Sequence, residues 1–282
     1  MIKVEKITNL LELVVFSAYL KGEQPVSALI TAPVESGKTE VVMRFAHNTG
    51  CAVLTDATAY GIMRDYGQLI TDKKLRHIII PDLVKQMSRG KDTVHTFIAF
   101  LNSLIEEGVY SISTYAEKLG APTTSLAASV PPPPVKCGLI ATLAKNELLD
   151  GRHRWSRIGF MSRLLPISYE YSPETEMEIH QSIASREYLH NDPITLNLPS
   201  EDIGIKLESK EADELLILTS MIVQIGTDQI NPEKVYGFRL QKHIQRLAMA
   251  SALNHERDRV TQEDIQYVRS LSGCINLRYS PV

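Results

Sequence analysis

At 282 residues the chain is long enough for one large domain or two closely packed ones. Its 44% apolar and 22% charged residues are those of a globular protein, which excludes disorder as its ground state. A formal net charge of −3 excludes an overall basic surface, so any contact with nucleic acid must be local or created by assembly. Three widely spaced cysteines (Cys51, Cys137, Cys274) share no metal-ligand spacing, and no apolar run approaches the ~18 uncharged residues of a membrane span, so a soluble, cytoplasmic protein is expected.

In chain order, residues 5–21 predict an amphipathic helix from the spacing of their apolar side chains. The apolar run with Val26, Leu29, Ile30 and Thr31 predicts a buried strand. A tight loop follows, then Gly37-Lys38-Thr39, then the helical run EVVMRFA. Strand, loop, Gly-Lys-Thr and helix in that order form the phosphate-binding loop of nucleoside triphosphatases. The loop residues Val34, Glu35, Ser36, Gly37, Lys38, Thr39 and Glu40 would cradle the phosphates of ATP with their backbone N–H groups. Lys38 would reach the β- and γ-phosphates, and the Thr39 hydroxyl would sit on Mg²⁺. One position departs from the pattern: Ala32, followed by Pro33, stands where the loop opens on Gly, and Ala is tolerated there if its φ is negative.

Asn48-Thr49-Gly50 ends that element, and CAVLTDA (51–57) predicts a second strand. A helix around residues 60–70 precedes LRHIIIPDL, a third strand centred on Ile78, Ile79 and Ile80. Residues 93–108 predict a helix with Gly108 at its C-cap. VYSIST alternates as a short strand, and the Pro-rich stretch with Pro131–Pro134 predicts an extended loop. VKCGLIATLA (135–144) predicts another buried strand, and residues 157–172 a helix-to-strand transition. Strands that are nearly all apolar, alternating with helices, predict a parallel sheet covered on both faces. Beyond residue 172, SPETEMEIHQSIASREYL predicts a helix and PITLNLP an extended segment. Helices follow at 210–225, 235–255 and 261–272, the last opened by the capping box Thr261-Gln262-Glu263-Asp264. The expected organisation is an α/β nucleotide-binding core over 1–172, a connection over 173–209 and a helical lid over 210–282.

Hydrolysis also requires a carboxylate at the end of a neighbouring buried strand, to hold Mg²⁺ and polarise water. HIIIPDL supplies Asp82, but a pair of carboxylates is usual and Pro81 and Leu83 flank this one. Asp82 can serve the metal or act as base; the alternative is a capping Asp after a strand.

This order of elements resembles the AAA+ ATPases, and within them the minichromosome maintenance (MCM) helicases, over roughly residues 24–272. IPDLVKQM resembles the family's Walker B strand end, with Asp82 on its Glu and Pro81 in place of its Asp. FLNSLIEEGVYSIST followed by VKCGLIATL resembles the helix, hairpin and sensor 1 strand, which places sensor 1 on Thr142, with Asn146 the alternative. GFMSRLLPISYEYS is similar to the segment bearing the arginine finger, here Arg163. YGFRLQKHIQRLAMASAL is similar to the lid helix bearing the sensor 2 arginine, here Arg239, with Arg246 seven residues on.

The resemblance implies a P-loop AAA+ fold with a C-terminal all-helical lid and an ATPase assembled as a homo-oligomeric ring or open ring. Its catalytic residues would be Asp82, Arg163, Thr142 and Arg239, with Mg²⁺ held by Thr39 and Asp82. Its target would be DNA or a DNA-bound replication complex. A second reading, motivated by the incomplete carboxylate pair, is a nucleotide-gated scaffold with little or no hydrolysis. Arg152, His153, Arg154 and Arg157, with Trp155 among them, form a basic cluster before Arg163: a solvated loop, or a contact to phosphates or DNA.

Overall fold

The computed structural model describes residues 4–109, 134–150, 159–186, 192–227 and 236–277. The VYSIST segment beyond Val109, Pro131–Pro133 and the basic cluster at 151–158 lie outside the described residues. Five strands, β1 (Ala28–Ala32), β2 (Cys51–Val53), β3 (His77–Ile80), β4 (Gly138–Ala144) and β5 (Leu165–Ser168), form one all-parallel sheet in the order β2-β3-β4-β1-β5. With helices on both faces, this is the architecture shared by Rossmann-like and P-loop proteins.

Side chains alternate across a strand, and the two faces here enter different cores. Ala28, Ile30, Ile79, Ile140, Leu165 and Ile167 point into one. Leu29, Ile78, Ile80, Leu139, Ala141 and Leu143 point into the other, beneath α3 (Ala59–Thr71) and α5 (Lys91–Asn102). The expected parallel sheet covered on both faces is therefore present. Its second strand is shorter than CAVLTDA suggested, three half-buried residues at one edge.

The first helix, α1 (Glu5–Phe16), differs from the expected amphipathic element. It stops five residues short, in a 3₁₀ turn over Ser17–Tyr19, and buries eight of its twelve residues. The reason is its neighbours: it packs against two C-terminal helices as well as the core of the sheet. Between them lie the short helices α2 (Lys38–Met43) and α4 (Val84–Met87), then α6 (Lys145–Asp150) after β4 and α7 (Pro173–Ala184) after β5. The C-terminal helices are α8 (Ser209–Thr227), α9 (Phe238–Asn254) and α10 (Gln262–Leu271). Leu215, Leu218, Leu240, Ile244, Leu247, Ile265 and Val268 join the core that contains α1 and β1, so apolar contact runs from the sheet into these helices.

The capping box of α10 is present. Asp264, fully buried, accepts from the Thr261 N–H and hydroxyl at 2.9 Å each, and from Ser251 Oγ at 2.7 Å and Arg257 Nη2 at 2.6 Å. Four donors satisfy a carboxylate that would otherwise be costly to bury. The extended segment near PITLNLP is held by Asn48, whose amide donates to Ile194 O at 2.7 Å and accepts from Leu196 N at 2.8 Å, in the manner of a strand partner.

His77 opens β3 in full burial, and its Nε2–H donates to the Val26 carbonyl at 3.1 Å. Gly138, its register partner on β4, leaves room for the ring, since a Cβ there would lie 2.3 Å from it. Burial pushes the His77 pKa down to about 4, against the Val26 hydrogen bond and with help from Arg76. Its ordinary value is near 6.5, so as pH falls from there to about 4 the unfolded chain gains a proton that the folded chain refuses. Stability should fall by on the order of 3 kcal/mol over that window, at ~1.4 kcal/mol per pH unit. Urea midpoints measured at pH 7 and pH 4.5 check this; equal midpoints would refute a neutral His77.

Candidate functional site

The carboxyl ends of the parallel strands lie along one edge, and the loop after β1 opens there. Ala32 is the last residue of β1, paired with Ala144, and its φ is not positive, so the missing Gly is tolerated as an extended residue. The left-handed positions come later, at Glu35 (φ 63°) and Gly37 (φ 79°), which turns the chain into α2. Pro33, Val34 and Glu35 are exposed and Ser36 is buried. Glu40 lies exposed in the first turn of α2.

Lys38 folds back over this loop. Its Nζ donates to Ala32 O at 3.1 Å, Pro33 O at 2.5 Å and Ser36 Oγ at 3.3 Å. Burial lowers its pKa, opposed by the negative charges of Asp82 and Glu40.

β3 is not adjacent to β1; β4 stands between them. The expected carboxylate on a neighbouring strand is therefore one strand further away, and Thr142 of β4 bridges the gap. Thr142 is buried, and its hydroxyl donates to Pro81 O at 2.5 Å while its carbonyl accepts from Leu83 N at 3.0 Å. Thr39 donates to the same Pro81 carbonyl at 3.3 Å. The Pro81 carbonyl thus joins the loop threonine, the β4 threonine and the turn that carries Asp82. Asp82 is exposed, and its Oδ1 accepts from Val84 N at 3.0 Å across the turn into α4, whose N-cap position is Leu83. Asn146 is exposed at the start of α6. Among the described residues no cluster of three or more His, Cys, Asp or Glu side chains is placed to hold a metal ion.

Arg163 and Arg239 are brought together elsewhere. Arg163 ends a 3₁₀ turn just before β5, and Leu165 pairs with Ala28 at the start of β1. It is therefore at the end of the sheet opposite Lys38, separated by at least the length of β1, ~13 Å at 3.3 Å per residue. Its Nη1 donates to Gly159 O at 2.6 Å and its Nε pairs with the Glu106 carboxylate. Arg239, in the first turn of α9, donates to Ser162 Oγ at 2.9 Å and to Glu106 Oε1 at 3.1 Å.

Burial raises the Glu106 pKa, but hydrogen bonds from Arg239 and the charge of Arg163 outweigh it and hold this carboxyl below the usual range. His243, buried on α9, faces the same group; burial and the charges of Arg246 and Arg239 push its pKa down to about 3, against the Arg163 backbone and Glu106. Arg246 itself pairs with Glu23 at 2.9 Å.

Sequence reasoning missed Glu106. It lies in a π-helical turn over Ser103–Glu107, between α5 and Gly108, where an acidic pair reads as a solvated helix end. It also missed the Pro81 carbonyl, because a backbone acceptor carries no residue signature. The comparisons add no identity: no protein-family model matches this sequence, and no curated protein matches it.

Proposed function

We propose that this chain is an assembling P-loop ATPase of the AAA+ type, acting in the cytoplasm on DNA or a DNA-bound complex. The observation that carries this reading is the convergence of Lys38, Thr39, Thr142 and Asp82 at one end of a parallel sheet, behind a strand–loop–Gly-Lys-Thr–helix sequence. In this reading ATP places its phosphates against residues 34–40, and Lys38 exchanges neutral loop acceptors for phosphate oxygens. Thr39 and Asp82 are hard oxygen donors on one edge and suit Mg²⁺, which takes one or two protein oxygens and keeps several waters. When bound, Mg²⁺ neutralises charge on the transferring phosphoryl group.

Thr142 fixes the turn that carries Asp82, which either joins Thr39 on Mg²⁺ or orients the attacking water and leaves the metal to Thr39 and water. Arg163 and Arg239 are too far from the loop of their own chain and would meet the nucleotide of a neighbour, stabilising the charge that spreads over its oxygens. Turnover then requires a homo-oligomer. The likeness of the motif order to the MCM motors directs that work to DNA.

A second reading draws on Pro81. Its carbonyl occupies Thr39 where a carboxylate is usual, leaving Asp82 as the one carboxylate of the turn after β3, which favours a nucleotide-held scaffold with little hydrolysis. Phosphate release from ATP with Mg²⁺, followed over a range of protein concentrations with and without single- and double-stranded DNA, separates the two. The motor predicts turnover per chain that rises with protein concentration and rises again with DNA. ATP-induced oligomers without phosphate release would establish the scaffold instead.

A further inference from the structure

Two tyrosines from the segment after β5 converge on the loop after β1. Tyr169 donates its hydroxyl to the Ser36 carbonyl at 2.9 Å, and Tyr171 donates to the same oxygen at 2.8 Å. Their rings meet edge to face, with centroids 5.6 Å apart and planes at 60°. A carbonyl has two lone pairs, so this one is saturated by side-chain donors alone. The sheet does not need these bonds, because β5 ends at Ser168 and pairs with β1 through its own backbone. Ser36 sits between the left-handed residues Glu35 and Gly37, where a peptide unit can rotate unless something holds it. An anion-binding loop must turn N–H groups toward its ligand, and a carbonyl rotated into that space repels phosphate.

We infer that Tyr169 and Tyr171 are positioning residues that anchor the Ser36 carbonyl away from the ligand and so hold the loop in the form that receives a polyphosphate. This inference rests on the reading of residues 33–40 as a nucleotide site. The hydroxyls touch the loop and not the ligand, so they set the fraction of molecules that is competent to bind. When that fraction falls, apparent affinity falls by the same factor.

The test uses the full chain with Tyr169→Phe, Tyr171→Phe and the double substitution, which keep both rings. Calorimetric titration with MgATP, and separately with inorganic pyrophosphate, is paired with thermal melting of the ligand-free protein. The double variant should bind both ligands about tenfold more weakly, and each single variant about threefold, as expected for one modest hydrogen bond apiece. Its ligand-free melting temperature should fall by no more than about 5 °C, the scale of two modest hydrogen bonds, and in steady state KM for ATP should rise while kcat is kept. Equal affinities in the variant and unaltered proteins would overturn the anchor and leave the nucleotide site standing. Weaker binding together with a ligand-free melting temperature lowered by more than about 10 °C, well beyond two modest hydrogen bonds, would make the pair a fold element and overturn the inference. An unaltered protein that binds neither MgATP nor pyrophosphate would overturn the site and the anchor together.

Discussion

Lys38→Ala should abolish ATP binding, with a loss of affinity of at least a hundredfold. The Lys38 ammonium lies half-buried over the loop, on two backbone carbonyls and the Ser36 hydroxyl, none of them charged. Burial disfavours its charge, and an arriving triphosphate offers anionic acceptors in the same place. A hydrogen bond to a charged group contributes about 1.5–3 kcal/mol, and a lysine spanning two phosphates makes more than one. A hundredfold is about 2.7 kcal/mol, so the expected loss lies within what this side chain can supply. Among the described residues its only hydrogen bond to a strand is to the Ala32 carbonyl at the end of β1, which pairs with β4 through its own backbone, so the variant should melt close to the unaltered protein. Calorimetric titration of both proteins with MgATP measures the difference; tight binding retained by the variant would move the nucleotide site elsewhere.

Arg163→Ala should have the second large effect, and of a different kind. Turnover should fall by ~10³-fold, the scale on which an arginine stabilises phosphoryl transfer, while the affinity for ATP changes by less than about threefold, since nothing near the loop is altered. This split follows from the register that sets Leu165 against Ala28 and so places Arg163 beyond the start of β1. Mixing this variant with Lys38→Ala should restore part of the activity, because one protein keeps an intact loop and the other an intact arginine. Steady-state phosphate release from each variant and from the mixture makes the measurement. A scaffold would lose nucleotide-dependent assembly with Arg163→Ala and show no turnover to lose; a variant unchanged in both respects would remove Arg163 from the site.

Much of the fold was legible because it is written locally. Three β-branched residues in a row, Ile78, Ile79 and Ile80, ended by Pro81, can be little else than a buried strand, and Gly37 before Lys38-Thr39 marks a left-handed turn into a helix. The box at Thr261–Asp264 needs only four consecutive residues. The end of α1 was not legible because the apolar spacing continues past Phe16, whereas the chain tightens there into a buried 3₁₀ turn over Ser17–Tyr19. Thr142 could be named from its place in a motif order, but its double grip on Pro81 and Leu83 could not.

The sequence by itself determined the strands, the phosphate-loop pattern and the residues able to do chemistry, since periodicity, glycine φ and side-chain type are properties of short segments. The tertiary structure alone decided how these meet. It set β4 between β1 and β3, joined Thr39 and Thr142 on one carbonyl, and paired Arg163 with Arg239 on Glu106. It also carried Tyr169 onto Ser36, across 133 residues of chain. Contacts at that separation arise from strand order and packing, which depend on the whole chain's burial of apolar surface and leave no mark on any one stretch of it.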